Sequence, residues 1–422
     1  MNILTIGGAT QDVCVYYQHQ EIAYFDTPSG KQRFLLLLEG AKIELERVAY
    51  LSGGGAHNAA VSYARQGFNT RIVCCVGSDC QGDFIVDNLA KNSVSTDFVV
   101  RTSLTTGFSF VITLTTGDRT VLVNRGANLA LASEHVPDAA LDGIDQLYIT
   151  SLTGSTSALL PAFALRAQQR GIPVAVNPGS SQLRADGYYL QQSLSSIDTL
   201  ILNSYEATLF MGSLQQAQSA DHQSMQGSNE TNLGTDLPEL AQKQVNLVAI
   251  TPEQTTVHAT RVKTVSVESN FGAGCPESQA NDQARGSEQL QRQSQKFPFL
   301  LSQESNLDLR LFCSSVHSHG TKIVVVTNGA EGVYVSTDEC LYFYPSQPIK
   351  VVSTLGAGDA FGSGFVGHLA RDGTVQEAIR YGIANSHAVL SDYGAQTGLL
   401  SADALAQAAQ ALDPMLLQKY SL

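Results

Sequence analysis

Residues 353–365 read STLGAGDAFGSGF, with four glycines around a single acid, Asp359. A glycine turn that leads into a helix can aim successive backbone amides at one point, where the helix adds the positive end of its dipole. The stretch therefore predicts an anion site at Gly356, Ala357 and Gly358. An acid beside a bound phosphate is repelled by it, unless its task is to take a proton from an incoming hydroxyl. We accordingly interpret Asp359 as a general base.

A plain strand-to-helix turn explains the same letters. Glycine-rich turns are common, and Asp359 would then be an exposed residue in the first turn of a helix. The run IKVV at 349–352 is strand-like and would place the turn at the end of a strand. Both interpretations of the turn stay open until other segments are considered.

The charge of the chain restricts its partners. The 422 residues carry 25 Lys and Arg against 38 Asp and Glu, a formal net charge of −13. Nucleic acids and anionic membranes are normally bound by basic surfaces, so neither is expected and small molecules are. The seven cysteines are odd in number and lack zinc-site spacing, which indicates reduced thiols. With no signal-like start and no apolar run of about 18 residues, we expect a cytoplasmic protein.

Short apolar β-branched runs alternate with segments of helical period. The runs lie at 3–7, 71–77, 147–150, 174–178, 199–203 and 322–329, and the helical segments at 56–67, 157–170, 204–212 and 375–391. This alternation predicts βαβ units and hence an α/β fold, a mostly parallel sheet with helices on both faces. Ligands of such folds bind at the carboxyl ends of the strands.

Two regions interrupt the alternation. Segments 13–50 and 107–124 have the pattern of antiparallel strands, the second with a turn at 116–118, and predict a small sheet that serves as a lid. Residues 213–310 are dense in Gln, Ser, Asn and Glu. Because such a composition buries too little apolar area to offset its ordering entropy, we expect a mobile surface insertion there.

Further motifs accompany the glycine turn. They are SGGGAHNAA at 52–60, VGSDCQGDFI at 76–85, LNSYEATLF at 202–210 and VVVTNGAEGVYV at 324–335. In this order, the motifs and the turn resemble the ribokinase-like carbohydrate kinases, a family that includes ribokinase, fructokinase, adenosine kinase and the minor-type phosphofructokinases. The resemblance covers the chain outside 213–310. It implies a single kinase domain over 1–422, a three-layer α/β/α sandwich with a mostly parallel sheet and a small β-sheet lid.

The resemblance also implies a reaction and a set of site residues. The reaction is ATP-dependent phosphorylation of a hydroxyl group of a sugar or sugar-like compound, with Asp359 as base and the 356–358 turn as anion hole. The positions matching the sugar site are Asp12, Gly53, Gly54 and Asn58. The positions matching the nucleotide site are Asn203, Thr327, Gly329, Gly332 and Asn385. Glu206 matches the metal position, where Mg²⁺ would be held largely through water.

Some of these residues have simpler explanations. Asp12 alone fits a turn or cap, and Asn203 alone fits a helix cap. Asn385 on a late helix fits a surface polar residue nearly as well as a neighbour of adenine. Arg125, in the segment NRGAN, resembles a position near the substrate in some members. It would meet a charged substrate or be a solvated arginine.

The chain departs from the family pattern at two positions. Ser353 stands where the signature usually opens with Asp, which in members activated by a monovalent cation helps to build a potassium site. A hydroxyl is a poorer ligand than a carboxylate for a hard cation, so we expect weak or absent potassium activation. Ala175 stands where many members carry an acid after the same strand, and would alter magnesium or phosphate handling.

Rival functions follow from these observations. One is an adenosine-type nucleoside kinase, for which Tyr16, Tyr17 and Phe25 are available to contact a base. Another is a catalytically silent regulatory protein that binds a sugar or nucleotide. A Rossmann dehydrogenase is excluded, since IGGAT near the first strand is not a Gly-x-Gly-x-x-Gly turn. A homodimer through the lid strands is also expected, because an apolar strand such as FLLLLEGAK at 34–42 seldom stays unpaired.

Overall fold

The computed structural model of the chain describes residues 1–17, 20–27, 30–114, 119–214, 300–301 and 307–422. The chain divides into two compact units, one formed by Met1–Gln18, Lys42–Leu214 and Pro276–Leu422, the other by His19–Ala41 and Gln215–Cys275. Most of the predicted insertion at 213–310, and the predicted turn at 116–118, lie outside the described residues.

The strands account for the predicted β runs. In chain order they are β1 (Asn2–Ile6), β2 (Thr10–Tyr16), β3 (Glu21–Thr27), β4 (Gly30–Leu36), β5 (Arg47–Gly53), β6 (Asn69–Gly77), β7 (Val94–Ser95), β8 (Val99–Thr102), β9 (Phe108–Thr113), β10 (Arg119–Asn124), β11 (Gln146–Thr150), β12 (Val174–Asn177), β13 (Thr199–Asn203), β14 (Leu300–Leu301), β15 (Leu307–Asp308), β16 (Ile323–Thr327), β17 (Gly332–Ser336), β18 (Cys340–Pro345) and β19 (Gln418–Ser421).

The helices alternate with these strands. They are α1 (Gly55–Arg65), α2 (Cys80–Lys91), α3 (Asp138–Leu141), α4 (Leu160–Gln169), α5 (Ser180–Ser193), α6 (204–214), α7 (Leu309–His317), α8 (Ala357–Ala370), α9 (Val375–Leu390) and α10 (Ala402–Ala411). None of the helices in the described part of the chain combines the length and apolar character needed to cross a membrane. The six cysteines of the described residues are free thiols.

An eleven-stranded sheet forms the centre of the first unit. Its order is β19-β18-β17-β16-β13-β12-β11-β1-β6-β7, with β8 also paired to β6. Strands β16 to β7 along this order run parallel, and β17, β18 and β19 are added antiparallel at one edge. The predicted α/β class with a mostly parallel sheet is confirmed.

Alternating side chains on the central strands separate two hydrophobic cores. In β1, Leu4 and Ile6 belong to one core and Ile3 to the other, because successive side chains point to opposite faces of a sheet. The first core includes side chains of α4, α5, α6 and α7, and the second those of α1, α8 and α9. These two helical layers enclose the sheet, which gives the three-layer α/β/α sandwich.

A second sheet of four strands, in the order β10-β9-β2-β5, belongs to the same unit. Strands β2 and β5 are antiparallel, as are β9 and β10, in agreement with the sequence. Strands β2 and β9, which come from the two different segments, run parallel to each other. These two strands are far apart in the chain, so no hairpin forces them to be antiparallel. In the other unit, β3 and β4 form an antiparallel hairpin.

The segment just before the glycine turn is not a strand, contrary to the prediction for 349–352. Strand β18 ends at Pro345, and residues 346–352 form no regular structure. Pro345 and Pro348 lack the amide protons that a β ladder requires. Instead, the amides of Val352 and Ser353 donate to the Leu390 carbonyl at distances of 2.8 and 3.3 Å. The turn is thus held by α9.

Candidate active site

Asp359 lies in the first turn of α8 and is partly buried. It is near the carboxyl end of β11, because a Cβ on Gly55 would lie 3.0 Å from Thr150 Cβ and 3.3 Å from Asp359 Oδ1. The residue before the helix, Gly356, has φ of +75°, a conformation that favours glycine. A Cβ there would also lie 2.5 Å from the Cβ of Ala395. The glycine therefore permits both the left-handed turn and its close packing, and this fixes where Asp359 enters the site.

A chain of hydrogen bonds orients the Asp359 carboxylate. The Asn58 Nδ2 donates to Asp359 Oδ2 at 2.8 Å, and the Gln396 Nε2 donates to Asn58 Oδ1 at 3.0 Å. Asn58 and Gln396 are both buried. Because Gln396 occupies the Asn58 oxygen, the Asn58 amide must present its NH₂ group to the acid. The structure thus brings together Asn58 and Asp359, which are 301 residues apart in the chain.

Three acids share this region and all have raised pKa values. Burial raises the pKa of Asp12 to about 6 and that of Glu206 to about 7, and in both cases the charge of Asp359 adds to the effect. Burial also raises the pKa of Asp359, against a lowering contribution from its Asn58 hydrogen bond. Arg119 on β10 favours the charged forms of Asp12 and Asp359. Clustered acids of raised pKa are typical of sites that handle protons or cations.

A cavity of about 570 Å³ opens beside the glycine turn. Ala357 and Gly358 line it, and a Cβ on Gly358 would meet no atom within 4 Å. The amides of the first turn of a helix have no acceptors within the helix, so they can bind an anion, although the Ala357 amide donates to the Thr354 carbonyl at 3.5 Å here. The predicted anion site therefore faces a cavity of the size that small-molecule ligands occupy.

Predicted nucleotide residues line the same cavity. Thr327, Gly329 and Gly332 are among its walls, with apolar surface from Val333, Ile349, Phe361, Ile383 and Leu390. Gly332 has φ of +136°, and a Cβ there would lie 2.3 Å from the Tyr344 carbonyl oxygen. Its glycine character is thus required by the pairing of β17 with β18, in addition to any role towards a ligand.

Asn385 does not line the cavity, although Ser386 and His387 beside it do. The Asn385 side chain is fully buried, and its Nδ2 donates to Ser62 Oγ at 3.1 Å and to the Ala360 carbonyl at 2.8 Å. The interpretation of Asn385 as a surface residue is therefore wrong, and its place beside adenine stays a prediction. It joins α9 to α1 and to the first turn of α8.

The glycines of SGGGAHNAA bring β5 and α1 close to two other segments. A Cβ on Gly53 would lie 2.0 Å from Asp12 Oδ2, and one on Gly54 would lie 2.5 Å from the Gly8 carbonyl oxygen. Asp12 is buried on β2, where Thr10 Oγ1 donates to its Oδ1 at 3.3 Å. The predicted sugar positions Asp12, Gly53, Gly54 and Asn58 therefore form one cluster next to Asp359.

Asn203 and Glu206 form a reciprocal helix cap. The Glu206 amide donates to Asn203 Oδ1 at 2.8 Å, and the Asn203 amide donates to Glu206 Oε2 at 3.0 Å. The capping explanation of Asn203 is thus correct as a local description. No group of three or more acidic, His or Cys side chains able to hold a metal occurs among the described residues. A single carboxylate fits Mg²⁺, which keeps waters and phosphate oxygens as its other ligands.

Sequence reasoning missed Gln396, Arg119 and Tyr148. Gln396 is 338 residues from Asn58, and no local pattern marks it. Arg119 lies in a segment predicted to form strands. Its charge lowers the pKa values of Asp12 and Asp359 only because strand pairing brings it near them. The Tyr148 hydroxyl is buried without a hydrogen-bond partner in the described part of the chain, directly under α8. A Cβ on Gly362 would lie 2.1 Å from that hydroxyl oxygen.

The three-layer architecture, with a glycine turn and an acid at the start of α8, defines a ribokinase-like fold. Residues 27–274 and 298–402 match the pfkB family carbohydrate kinase description. The chain belongs to the pfkB family of carbohydrate kinases. Ribokinase from Arabidopsis thaliana, complexed with ribose and ATP, superposes with a TM-score of 0.64 at 17% identity, covering 97% of this chain and 98% of that one.

Two relatives by sequence are ribokinases. The Mus musculus enzyme is 33% identical over 162 residues, which cover 38% of this chain and 49% of the mouse protein. The Haemophilus influenzae enzyme is 23% identical over 356 residues, which cover 84% of this chain and 85% of that protein. The chain thus spans about half the length of the mouse relative, and most of the bacterial one.

Proposed function

We propose that the protein transfers the γ-phosphoryl group of ATP to a hydroxyl of a sugar or sugar-like compound. The observation that carries this proposal is the position of Asp359. Its carboxylate is oriented by Asn58, lies in electrostatic reach of Asp12 and Glu206, and belongs to the turn that lines the 570 Å³ cavity. Membership of a carbohydrate kinase family supports the same reaction.

Asp359 takes the proton of the acceptor hydroxyl as its oxygen attacks the γ-phosphorus. The new O–P bond forms while the bond between that phosphorus and the bridging oxygen breaks, so ADP leaves with the electron pair. The amides of Gly356, Ala357 and Gly358 donate to the oxygens on which charge builds. The raised pKa of Asp359 brings it closer to neutral pH, which suits a base that must both accept and release a proton.

The remaining predicted residues have roles in binding. Asp12, Gly53, Gly54 and Asn58 hold the acceptor, and Thr327, Gly329 and Gly332 place the nucleotide against backbone. Asn203 and Glu206 lie where Mg²⁺ would be held, and the metal would supply charge neutralisation for the phosphate oxygens. The ribokinases among the relatives and the ATP-bound structural neighbour support ATP as the donor.

The four-stranded sheet is proposed to act as the lid and as a dimer contact. One edge strand, β10, is exposed throughout, and Leu122 on it is 59% exposed. On the other edge strand, β5, Tyr50 is 62% exposed. Unpaired apolar edge strands of this kind associate readily. Size-exclusion chromatography with light scattering should therefore report a dimer, and Leu122→Lys should shift it towards the monomer.

The experiment measures ADP release with Mg²⁺-ATP against pentoses, hexoses, sugar phosphates and nucleosides. Asp359→Asn should lower kcat by roughly 10²- to 10⁴-fold on the best acceptor, because it removes the base. Nucleotide binding, followed by the melting temperature, should be retained. Asp87→Asn, at an exposed position on α2, is the matched control and should leave kcat unchanged.

The panel also separates the rival functions. Turnover limited to nucleosides would identify a nucleoside kinase. If no acceptor is phosphorylated while sugars or ATP still raise the melting temperature, the protein is a binding module and the proposed reaction is wrong. Equal activity in Asp359→Asn and in the wild-type chain would contradict the role of the acid.

A further inference from the structure

His57 is a buried histidine to which the proposed reaction gives no role. It lies in α1, one residue before Asn58, and its side chain is fully buried. Burial lowers the pKa of His57 from 6.5 to about 4, so the imidazole carries no charge at neutral pH. A neutral imidazole in such a place acts on its surroundings through the hydrogen bonds of its two ring nitrogens.

The two ring nitrogens of His57 face two different segments. Nδ1 lies 3.3 Å from the Gly53 carbonyl oxygen, and Nε2 lies 2.9 Å from Oδ1 of Asn88 on α2. A neutral imidazole has one N–H group, and the Gly53 carbonyl can only accept a hydrogen bond, whereas the Asn88 amide can turn and donate from its nitrogen. Both hydrogen bonds are therefore made at once only if Nδ1 of His57 carries the proton.

The peptide unit between Gly53 and Gly54 depends on this partner. In a regular helix the His57 amide would donate to the Gly53 carbonyl, but here it donates to the Gly8 carbonyl at 3.4 Å. The next unit is fixed by the helix, because the Asn58 amide donates to the Gly54 carbonyl at 2.8 Å. The Gly53–Gly54 unit has a glycine at each end, so no side chain of its own hinders its rotation. The imidazole thus replaces the missing helical hydrogen bond.

The orientation of this peptide unit decides which group it presents beside Asp12. No peptide bond of the described residues is cis, so the Gly53 carbonyl and the Gly54 amide proton point in opposite directions. With the carbonyl bonded to His57, the amide proton points away from the imidazole. Gly54 lines a small cavity of about 60 Å³, and a Cβ on Gly53 would lie 2.0 Å from Asp12 Oδ2. A rotated unit would offer an acceptor hydroxyl a carbonyl oxygen in place of an N–H donor.

We propose that His57 is a positioning residue of the acceptor site, whose Nδ1–H group holds the Gly53 carbonyl so that the Gly54 amide is presented to a hydroxyl of the acceptor. The inference rests on the proposed phosphoryl transfer, because it concerns the acceptor of that reaction. His57 touches neither the acceptor nor the phosphoryl group, and it moves no proton between them. Its effect is therefore on the KM of the acceptor and not on kcat.

Two substitutions separate the roles of the two ring nitrogens. The side-chain nitrogen of Asn is as many bonds from the backbone as Nδ1 of His, and that of Gln is as many as Nε2. His57→Asn should therefore keep a donor for the Gly53 carbonyl, and His57→Gln should lose it. His319→Gln is the matched control, since Nδ1 of His319 also bonds a backbone carbonyl, that of Ser315 at 2.8 Å, and His319 lines neither cavity.

The kinetic test uses the best acceptor of the sugar and nucleoside panel. His57→Gln should raise the KM of this acceptor by roughly 3- to 10-fold, as expected for the loss of one hydrogen bond, and should leave kcat and the KM of ATP unchanged. His57→Asn and His319→Gln should keep the acceptor KM within about 2-fold of the wild-type value. Three results would overturn the inference: an unchanged KM in His57→Gln, an equal rise in both His57 variants, or a larger rise in His57→Asn than in His57→Gln.

A second measurement needs neither a substitution nor turnover. The ¹⁵N chemical shifts of the His57 ring in the full-length wild-type chain, assigned through its bonds to the His57 backbone, report which nitrogen carries the proton at neutral pH. We expect the proton on Nδ1. A proton on Nε2 would overturn the inference and leave the kinase proposal intact, because the Gly53 carbonyl would then have no donor in His57.

The failure of the reaction and the failure of the inference are distinguishable. If no acceptor is turned over, the proposed reaction fails, and the shifts in melting temperature caused by ribose, glucose or adenosine replace KM in comparing the two His57 variants. A shift that is kept in His57→Asn and reduced in His57→Gln would support the positioning role without the reaction. If none of these compounds shifts the melting temperature of the wild-type chain either, the inference fails together with the reaction.

Discussion

Replacement of Glu206 by Gln should stabilise the ligand-free protein at alkaline pH but not at acidic pH. Burial raises the pKa of Glu206 from 4.5 to about 7. Above pH 4.5 the unfolded chain releases this proton while the folded chain retains it, so stability falls as pH rises until about pH 7. Above about pH 7 the loss of folding stability caused by burying the Glu206 carboxylate is constant. The raised pKa of Glu206 corresponds to a loss of at most roughly 3 kcal/mol. Gln keeps an oxygen that can accept from the Asn203 amide and has no charge to bury.

The expected change in melting temperature follows from the chain length. Unfolding entropy grows with the number of residues, so for a chain of this size 1 kcal/mol corresponds to about 1–2 °C. The melting temperature of Glu206→Gln relative to wild type should therefore be about 3–5 °C higher at pH 8 than at pH 5. Differential scanning fluorimetry without Mg²⁺ or nucleotide measures this, in buffers of constant ionic strength.

The exposed Glu134→Gln is the matched control, and its pH curve should parallel that of wild type. The reasoning is refuted if Glu206→Gln and wild type also give parallel curves from pH 5 to pH 8. In that case Glu206 would be ionised in the folded protein at the same pH as in the unfolded chain. A gain at pH 5 as large as that at pH 8 would likewise indicate a packing effect and not a buried charge.

Gln396→Leu should free the Asn58 amide to turn and so weaken its hydrogen bond to Asp359. It should lower kcat by roughly tenfold and shift the acid limb of the kcat–pH profile to higher pH, because that hydrogen bond lowers the pKa of Asp359. An unchanged profile in a normally folded variant would show that Gln396 has no part in the site. Gly362→Ala should destabilise the fold by roughly 1–3 kcal/mol through its clash with the Tyr148 hydroxyl, and added Tyr148→Phe should restore part of the loss in urea unfolding. Without that recovery, the clash would not be the cause. With Ser353 in place of an acid, potassium should not stimulate ADP release over sodium, and a several-fold stimulation would contradict this.

Local patterns were sufficient to predict the layers of the fold. Runs such as 147–150 and 199–203 are short, β-branched and bounded by helical segments, and both became central parallel strands, β11 and β13. These strands are buried on both faces, so their apolar character is continuous and easily seen in the sequence. The run IKVV at 349–352 is also short and rich in β-branched residues, but it follows Pro348. Its last amide bonds to α9 and not to a neighbouring strand.

The parts of the candidate site that lie in short continuous segments could be predicted from the sequence. The Gly356–Asp359 turn and the Gly53–Asn58 segment each carry their own signal. Contacts across the fold carry none, because Asn58 and Gln396 meet only after α1 and the segment following α9 have packed together. The position of Asn385 could not be predicted for the same reason. Helical period places it on α9 but does not show that its side-chain amide donates to Ser62 and Ala360.

Asp12 is carried by the four-stranded sheet, whereas Asp359 is carried by a helix packed on the eleven-stranded one. The chain passes between the two sheets at Gly7–Ala9, at 103–107 and at 125–145, and at Gly54 by way of α1; Gly7 and Gly54 have positive φ. These connections are where a hinge between the two sheets would lie. A swing about such a hinge would carry Asp12 towards or away from Asp359, so the apparent affinity for the proposed acceptor would also measure the free energy of the swing.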